Sequence, residues 1–173
     1  LDALHVCVCN RNCRYPGEGG AEPVRLYNVF LSGLATTADS FHVIDELVFR
    51  QKRLTMQQLH DMLAADYAGY EALLAEIRAM TFFGNDDDAA DAYAVRTANA
   101  LMDACQAVEL PDKTYLIGSF YSLDRSYTYG LDLPATPNGR HYGEYISENQ
   151  SPSYGAAHND ATAELSSLSK LPF

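Results

Sequence analysis

Residues 81–91, TFFGNDDDAAD, mark the beginning of the longest helix that the sequence predicts. Gly84 and Asn85 interrupt the preceding pattern. Three aspartates then follow at 86–88, where first-turn amides and the helix dipole stabilise negative charge. An Ala-rich body continues from there until Pro111, which cannot extend a helix. We therefore expect one long helix whose small side chains let neighbouring elements approach closely.

Four shorter helices are predicted upstream, because apolar residues recur there at helical spacing. They are, in order, a segment from Pro23 to Gly33, one capped by Asp39 or Ser40, one opened by the capping box of Thr55 and Gln58, and one from Tyr70 to Met80.

Downstream of the long helix the composition of the sequence changes. Residues 115–121, YLIGSFY, predict a strand, and residues 128–159 are crowded with Gly, Pro, Asn and Ser, which is typical of extended, loop-rich structure. A short helix from Thr162 to Lys170 is expected to close the chain. The sequence thus divides into an irregular cysteine loop at 1–22, a helical region at 23–110 and a strand and loop-rich region at 111–173.

The composition excludes several classes of protein. The 173 residues contain 12 Lys and Arg against 23 Asp and Glu, a net charge of −11, and such a surface offers no basic face for nucleic acid or an anionic membrane. No run approaches the roughly 18 apolar residues of a membrane span. The start has no secretory leader pattern, so we expect a cytoplasmic protein. The chain lacks an initial Met and stops just after a periodic segment, which suggests an excised piece.

Three cysteines, Cys7, Cys9 and Cys13, lie close together beside His5. Three thiols and one imidazole could hold zinc or an iron–sulfur cluster, but the paired Cys-x-x-Cys spacing that makes such sites specific is absent. A structural disulfide is disfavoured in a cytoplasmic chain. The residues alone leave inert thiols and a reactive cysteine equally open.

Two other groups have a structural interpretation beside a functional one. Aspartates 86–88 with Asp91 could bind a divalent cation, although helix capping explains them without a ligand. Pro137, Asn138 and Gly139 suit a tight turn.

Taken together and in order, several motifs resemble those of the glycyl radical enzymes, the family of pyruvate formate-lyase and its glycerol and choline lyase relatives. The motifs are RLTM at 53–56, YAGYE at 67–71, FGNDDD at 83–88, ATPNGR at 135–140, SP at 151–152 and SLSKLPF at 167–173. The resemblance implies an α/β fold. This chain would be the mainly helical portion of a ten-stranded barrel, incomplete here, with apolar faces left exposed.

The resemblance also implies a mechanism. In that family a glycine radical takes hydrogen from a cysteine, and the resulting thiyl radical abstracts hydrogen from a small polar substrate. Cys7 matches that cysteine best, and Cys9 is the alternative. The family further implies a homodimer and, as a partner, an activating enzyme of the radical S-adenosylmethionine class, which installs the radical. We expect no bound cofactor.

Three departures from the family pattern bear on function. Many eliminating members carry Cys-x-Glu, whereas Cys9 stands at the position of that glutamate. Val8 separates the cysteines that adjoin in pyruvate formate-lyase itself. No Arg-Val-x-Gly-Tyr radical motif occurs in the 173 residues, so the radical glycine would lie outside them.

The leading hypothesis is a piece of a lyase, dehydratase or formate acetyltransferase-like enzyme that cleaves a C–C, C–O or C–N bond and is inactive alone. The alternatives are a thiol-rich metal-binding or interaction module that uses Cys7, Cys9, Cys13 and His5, and an inactive remnant of the family.

Overall fold

The structure is a computed structural model that describes residue 13 and residues 25–111, 114–120 and 125–172. Its strands are β1 (Arg25–Leu31) and β2 (Thr114–Phe120). Its helices are α1 (Leu34–Ile44), which continues into a π-helical segment (Asp45–Arg50), α2 (Met56–Ala64), α3 (Glu71–Arg78), α4 (Asp88–Gln106), α5 (Ser126–Asp132) and α6 (Ala161–Ser169). Within these residues, no helix has the length and apolar character that crossing a membrane requires.

The chain forms two compact units, of which one contains most of both strands and the C-terminal end of α4. Strands β1 and β2 pair with each other in a two-stranded sheet. A side chain at Gly118 of β2 would meet Met102 Sδ at 2.9 Å and Cys105 Sγ at 3.3 Å, so the helix end lies directly against the strand. Leu26, Phe30 and other apolar strand residues remain exposed, as expected for an incomplete barrel.

Strand β1 corrects the prediction of a helix from Pro23 to Gly33, so helical structure within the predicted 23–110 region begins at Leu34. The run from Arg25 to Leu31 is apolar and aromatic at both helical and strand spacing. Its β-branched and aromatic residues favour a strand once a partner is available. That partner, β2, lies more than 80 residues further along the sequence, where local periodicity cannot indicate it.

The second unit, Leu31–Ala100 with Phe120–Phe173, contains the hydrophobic core. The buried residues that form it come from α1, the π-helical segment, α2, α3 and the loops beside them: Val43, Leu47, Leu59, Met62, Tyr67, Ile77, Phe82, Ala135 and Ala156. The predicted capping box at the start of α2 is confirmed, because the side chains of Thr55 and Gln58 each bind the other residue's backbone amide.

Helix α1 begins six or seven residues earlier than predicted, so Asp39 and Ser40 lie within it rather than capping it. Its N-cap is Gly33, at φ 81°, and a glycine has no side chain that could bind the amides of the first turn. Instead, Thr36 N–H donates to Ser147 Oγ at 3.0 Å, and Ser147 N–H donates to Thr36 Oγ1 at 2.9 Å. A residue 111 positions away therefore supplies the missing cap.

Helix α5 also departs from the prediction, because it occupies the beginning of the expected loop region at 128–159. Gly130 of α5 is buried, and a side chain there would collide with the Glu144 carbonyl. The absence of a side chain at Gly130 thus lets α5 pack closely against the backbone at Glu144. The rest of the region lacks regular helices, and the predicted strand β2 and closing helix α6 are confirmed.

Candidate functional site

Asn85 joins the Gly-Asn-Asp motif to the segment that follows the Ser-Pro motif. Its Nδ2 donates to the carbonyls of Phe82, at 3.0 Å, and Ala156, at 2.8 Å. Its Oδ1 accepts from the backbone amides of His158 and Asn159 at 2.8 and 3.2 Å. The buried amide thus uses both donors and its acceptor on backbone groups, which stabilises the loop without secondary structure.

The Pro-Asn-Gly-Arg motif forms the predicted turn, with a β-bridge between Thr136 and Arg140. Gly139 has φ +90°, a conformation that favours glycine. The Tyr67 hydroxyl donates to Thr136 O at 2.6 Å and accepts from Gly139 N–H at 3.2 Å. Arg78 binds Gly139 O through Nε and Nη2 at 2.9 and 2.8 Å. These contacts from α3 and from the segment between α2 and α3 fix the turn.

Arg140 is buried, and its guanidinium binds the protein's own backbone. Nη1 donates to Glu144 O at 2.7 Å, and Nη2 donates to the carbonyls of Leu133 and Pro134. Nε donates to Thr136 Oγ1 at 3.2 Å. Desolvation lowers the pKa of Arg140 below its ordinary value. Because four of its five N–H donors already have partners within the protein, Arg140 shapes the turn rather than offering an anion site.

Three buried polar side chains, Asp39, Asn138 and Ser153, meet beside this turn. Ser153 Oγ donates to Asp39 Oδ2 at 2.6 Å and accepts from Asn138 Nδ2 at 3.4 Å. Asp39 Oδ1 accepts from Phe83 N–H at 3.2 Å. Asp39 is 1% exposed, and burial raises its pKa from 3.8 to about 7 despite these hydrogen bonds. The carboxyl can therefore hold a proton near neutral pH.

The Asp39 group borders an open cleft of about 440 Å³, which we call the loop cleft. Thr36, Asn138, Ser153 and Tyr154 contribute to its wall, together with Arg78 and Glu144. Hydroxyl, amide and charged groups around one volume suit a small polar molecule. The sequence singled out Asn138 and the Ser-Pro loop only as turn and loop residues. The sequence predicts Asp39 as a helix cap. No sequence pattern links it to Ser153, which lies 114 positions away.

The predicted catalytic residues, Cys7 and Cys9, lie outside the described residues, as does His5. Cys13 is exposed and has φ 51°. Cys105 is half-buried on α4. Within the described part of the chain, no three His, Cys, Asp or Glu side chains are arranged to hold one metal ion. The thiol-rich site and its role therefore stay predictions.

The acidic run at the start of α4 has the structural role that the sequence favours. Asp87 Oδ1 accepts from Ala90 N–H at 2.9 Å, as a helix cap does. Lys170, after α6, donates to Asp86, Asp88 and Asp91 at 3.0, 2.8 and 2.7 Å. The three carboxylates raise the pKa of Lys170 above its ordinary value. The negative charge of these aspartates is therefore partly balanced by Lys170.

Comparisons with known proteins find related sequences over most of the chain. A family profile described as "Pyruvate formate lyase-like" matches residues 4–130. The chain is 34% identical over 133 residues to isethionate sulfite-lyase of Bilophila wadsworthia, covering 77% of this chain and 16% of that protein. It is 33% identical over 145 residues to trans-4-hydroxy-L-proline dehydratase of Clostridioides difficile, covering 80% of this chain and 18% of that protein.

A solved structure shows the same fold. The crystal structure of a glycyl radical enzyme from Archaeoglobus fulgidus superposes with a TM-score of 0.89 at 25% identity, over 98% of this chain and 22% of that one. The chain thus spans about a fifth of the length of the proteins it matches.

Proposed function

Because this chain belongs to the pyruvate formate-lyase-like family of glycyl radical enzymes, we propose that it forms one segment of a longer lyase or dehydratase. That enzyme cleaves or eliminates a C–C, C–O or C–N bond in a small polar substrate through a cysteine thiyl radical. The observation that carries the proposal is the extent of the family match, which spans residues 4–130 and so includes both Cys7 and Cys9.

Cys7 is proposed as the hydrogen carrier, with Cys9 as the alternative. A glycyl radical, held by a segment outside the 173 residues, supplies the unpaired electron. The cysteine sulfur gives one hydrogen atom to the glycyl radical, takes one from a substrate carbon and returns that one once the substrate bond has broken. The thiyl radical then takes the first hydrogen atom back from the glycine, so that the thiol and the glycyl radical are both restored over a cycle. Such chemistry needs a site closed to water and oxygen.

Cys9 distinguishes this chain from the eliminating members that carry Cys-x-Glu. A carboxylate at that position acts there as the base that removes a proton while the leaving group departs. A thiol is a poor substitute, because its ordinary pKa is near 8.5 and most of it is therefore protonated at neutral pH. We propose that any base lies elsewhere in the longer enzyme.

The described region is proposed to act as scaffold. The motifs that resemble the family are held to one another by Asn85, by Tyr67 and by the Asp39 group. These contacts stabilise the loops around the loop cleft. The longer enzyme is proposed to be a homodimer that an S-adenosylmethionine-dependent activating enzyme converts to its radical form.

The first test is to sequence the encoding DNA through both ends of this chain. We expect the reading frame to continue beyond Phe173 to an Arg-Val-x-Gly-Tyr segment. A stop codon directly after Phe173, without a radical-bearing subunit encoded nearby, would remove the radical source and contradict the proposal.

Metal analysis of protein purified without oxygen tests the alternative. Zinc or iron held in stoichiometric amount by Cys7, Cys9 and Cys13 would favour the metal module instead.

The second test uses the enzyme encoded by that frame, activated without oxygen and supplied with isethionate, trans-4-hydroxy-L-proline, glycerol or choline. Cys7→Ser should abolish turnover of whichever compound is consumed, because a hydroxyl does not exchange hydrogen atoms as a thiol does. Cys105→Ser is the matched control and should retain turnover. If Cys7→Ser and Cys9→Ser variants both turn over at the unaltered rate, the thiyl mechanism is wrong.

A further inference from the structure

The wall of the loop cleft carries two exposed tyrosines, Tyr145 and Tyr154. Their ring centroids lie 5.3 Å apart. Tyr127 of α5 extends the row, because its ring centroid lies 5.2 Å from that of Tyr145. We call these three residues the tyrosine row. Each ring is supported by a neighbouring ring, so the row presents a broad apolar surface to a ligand at a small further cost in side-chain entropy.

A hydrogen-bond donor and an acceptor line the same cleft, on Arg78 and Glu144, and both side chains are about half exposed. Arg78 binds Gly139 O through Nε and Nη2, and its Nη1 has no hydrogen-bond partner among the described residues. Glu144 Oε2 accepts from His141 N–H, while Oε1 has no partner in the described part of the chain. The cleft therefore offers N–H donors and a carboxylate acceptor to a ligand.

The charges at the cleft favour a neutral ligand. Arg78 Nη2 lies 3.6 Å from Glu144 Oε2, so these two charges offset one another. Arg140, the remaining charged residue of the lining, is buried and directs its guanidinium to backbone carbonyls. An anion would be repelled by Glu144 and a cation by Arg78. A hydroxyl group can instead accept from the guanidinium and donate to the carboxylate, so a ligand with adjacent hydroxyls suits both.

The remaining polar side chains close the cleft behind these groups. Asn138 and Ser153 line it but are nearly buried, and their hydrogen bonds with each other and with Asp39 fix them in place. A ligand would therefore be held mainly by the exposed rings and by the Arg78–Glu144 pair. The volume of about 440 Å³ falls within the range of roughly 300–1,000 Å³ that is typical of small-molecule sites.

We propose that the loop cleft binds a saccharide, with the apolar face of one pyranose ring on Tyr145 and Tyr154 and two adjacent hydroxyls on Arg78 and Glu144. A pyranose combines these features in one rigid molecule, because its axial C–H groups form an apolar face and its equatorial hydroxyls project from the ring edge. The faces of aromatic rings carry partial negative charge and so attract these C–H groups. The proposal rests on the cleft and not on the radical chemistry, so it is tested before the enzyme is activated.

The test is titration of the complete protein, as its reading frame encodes it, with cellobiose, followed by calorimetry and by saturation-transfer NMR. Saturable one-site binding is expected with a Kd of about 1 mM or below. The axial protons of one sugar face should receive the most saturation. D-Sorbitol, which has the hydroxyls of glucose but no ring face, should not bind. Absence of saturable cellobiose binding would overturn the proposal.

Tyr154→Ala removes an exposed ring of the cleft and should weaken binding at least about fivefold, whereas Tyr154→Phe keeps the ring and should bind within about twofold of the unaltered protein. Tyr142→Ala is the matched control. Tyr142 is 62% exposed, against 61% for Tyr154, but it does not line the cleft, so its loss should leave the Kd unchanged. Equal weakening by the two alanine variants would mean that cellobiose adsorbs to exposed tyrosines in general, which overturns the proposal.

Glu144→Gln tests the acceptor. The new amide oxygen can still accept from His141 N–H, which places an NH₂ group where Oε1 was. A sugar hydroxyl then loses its acceptor, and binding should weaken several-fold. Asp61→Asn removes the same charge from an exposed site on α2 and should leave the Kd unchanged. Cellobiose binding that neither Tyr154→Ala nor Glu144→Gln alters would take place elsewhere in the protein, and the assignment to the loop cleft would be wrong.

Discussion

Asp39 and Asp91 bind the backbone amides of two consecutive residues, Phe83 and Gly84. Asp39 Oδ1 accepts from Phe83 N–H at 3.2 Å, and Asp91 Oδ1 accepts from Gly84 N–H at 3.5 Å. Each aspartate is 1% exposed. One carboxylate comes from α1 and the other from α4, so the beginning of the Gly-Asn-Asp motif is held between two helices. The two carboxylates differ in charge balance, because Asp91 contacts Lys170 and Asp39 contacts only neutral donors.

Asp39 should make the protein less stable as pH rises. Its pKa is about 7 in the folded protein and near 3.8 when exposed, so between these values the folded state holds a proton that the unfolded state has lost. The stabilisation is complete below the unfolded pKa and is lost as pH rises through the folded one. Urea unfolding should show a fall of about 2–3 kcal/mol between about pH 5 and pH 8.

Asp39→Asn should remove that fall, since an amide does not titrate. Asp61→Asn provides the control, because hydrogen bonds from Gln57 and His60 lower the pKa of this exposed carboxyl and keep its titration below the range tested. An Asp39→Asn protein with the same pH dependence as the unaltered one would show that Asp39 is ionised throughout.

Lys170→Met should destabilise the protein by about 2–3 kcal/mol, because it leaves the buried Asp91 carboxylate without its cation. Ser167 Oγ, at 2.9 Å, and Gly84 N–H would remain as neutral donors and limit the loss. Lys52→Met removes an equal charge from an exposed residue and should change the unfolding free energy by less than about 0.5 kcal/mol. Similar losses in the two variants would indicate an effect of net charge alone.

Gly84→Ala should abolish folding or cost more than about 3 kcal/mol. Gly84 has φ +100°, and its new Cβ would overlap the ring of Pro152 in the Ser-Pro motif. Gly69→Ala separates the two causes, because Gly69 has φ +83° but no atom within 4 Å of the added carbon. It should therefore show only the backbone penalty of about 1 kcal/mol. Thermal unfolding of both variants measures the difference, and equal losses would mean that Pro152 moves aside freely.

Features set by nearby residues were predictable from the sequence. Thr55 and Gln58 cap α2 through bonds that span three positions. Features that depend on distant partners were not. Asp39 has the residue type of a cap, yet its partners are Phe83 and Ser153, and the start of α1 is capped by Ser147. The resemblance identified the right family, because the order of several motifs along the chain carries information that spacing alone lacks.

Asn85 has a consequence for how this part of the protein can vary. Its side-chain amide donates to two backbone carbonyls and accepts from two backbone amides, more pairing than one peptide group of a strand provides. One residue thus supplies the loop after Gly155 with the backbone hydrogen-bond partners that a neighbouring strand would otherwise supply. A real strand distributes its pairing over many residues, any of which can be exchanged, whereas here the pairing depends on a single amide group. Even Asp, which has the same shape, would lose both donors, so this loop is as specific to one side chain as a ligand site is.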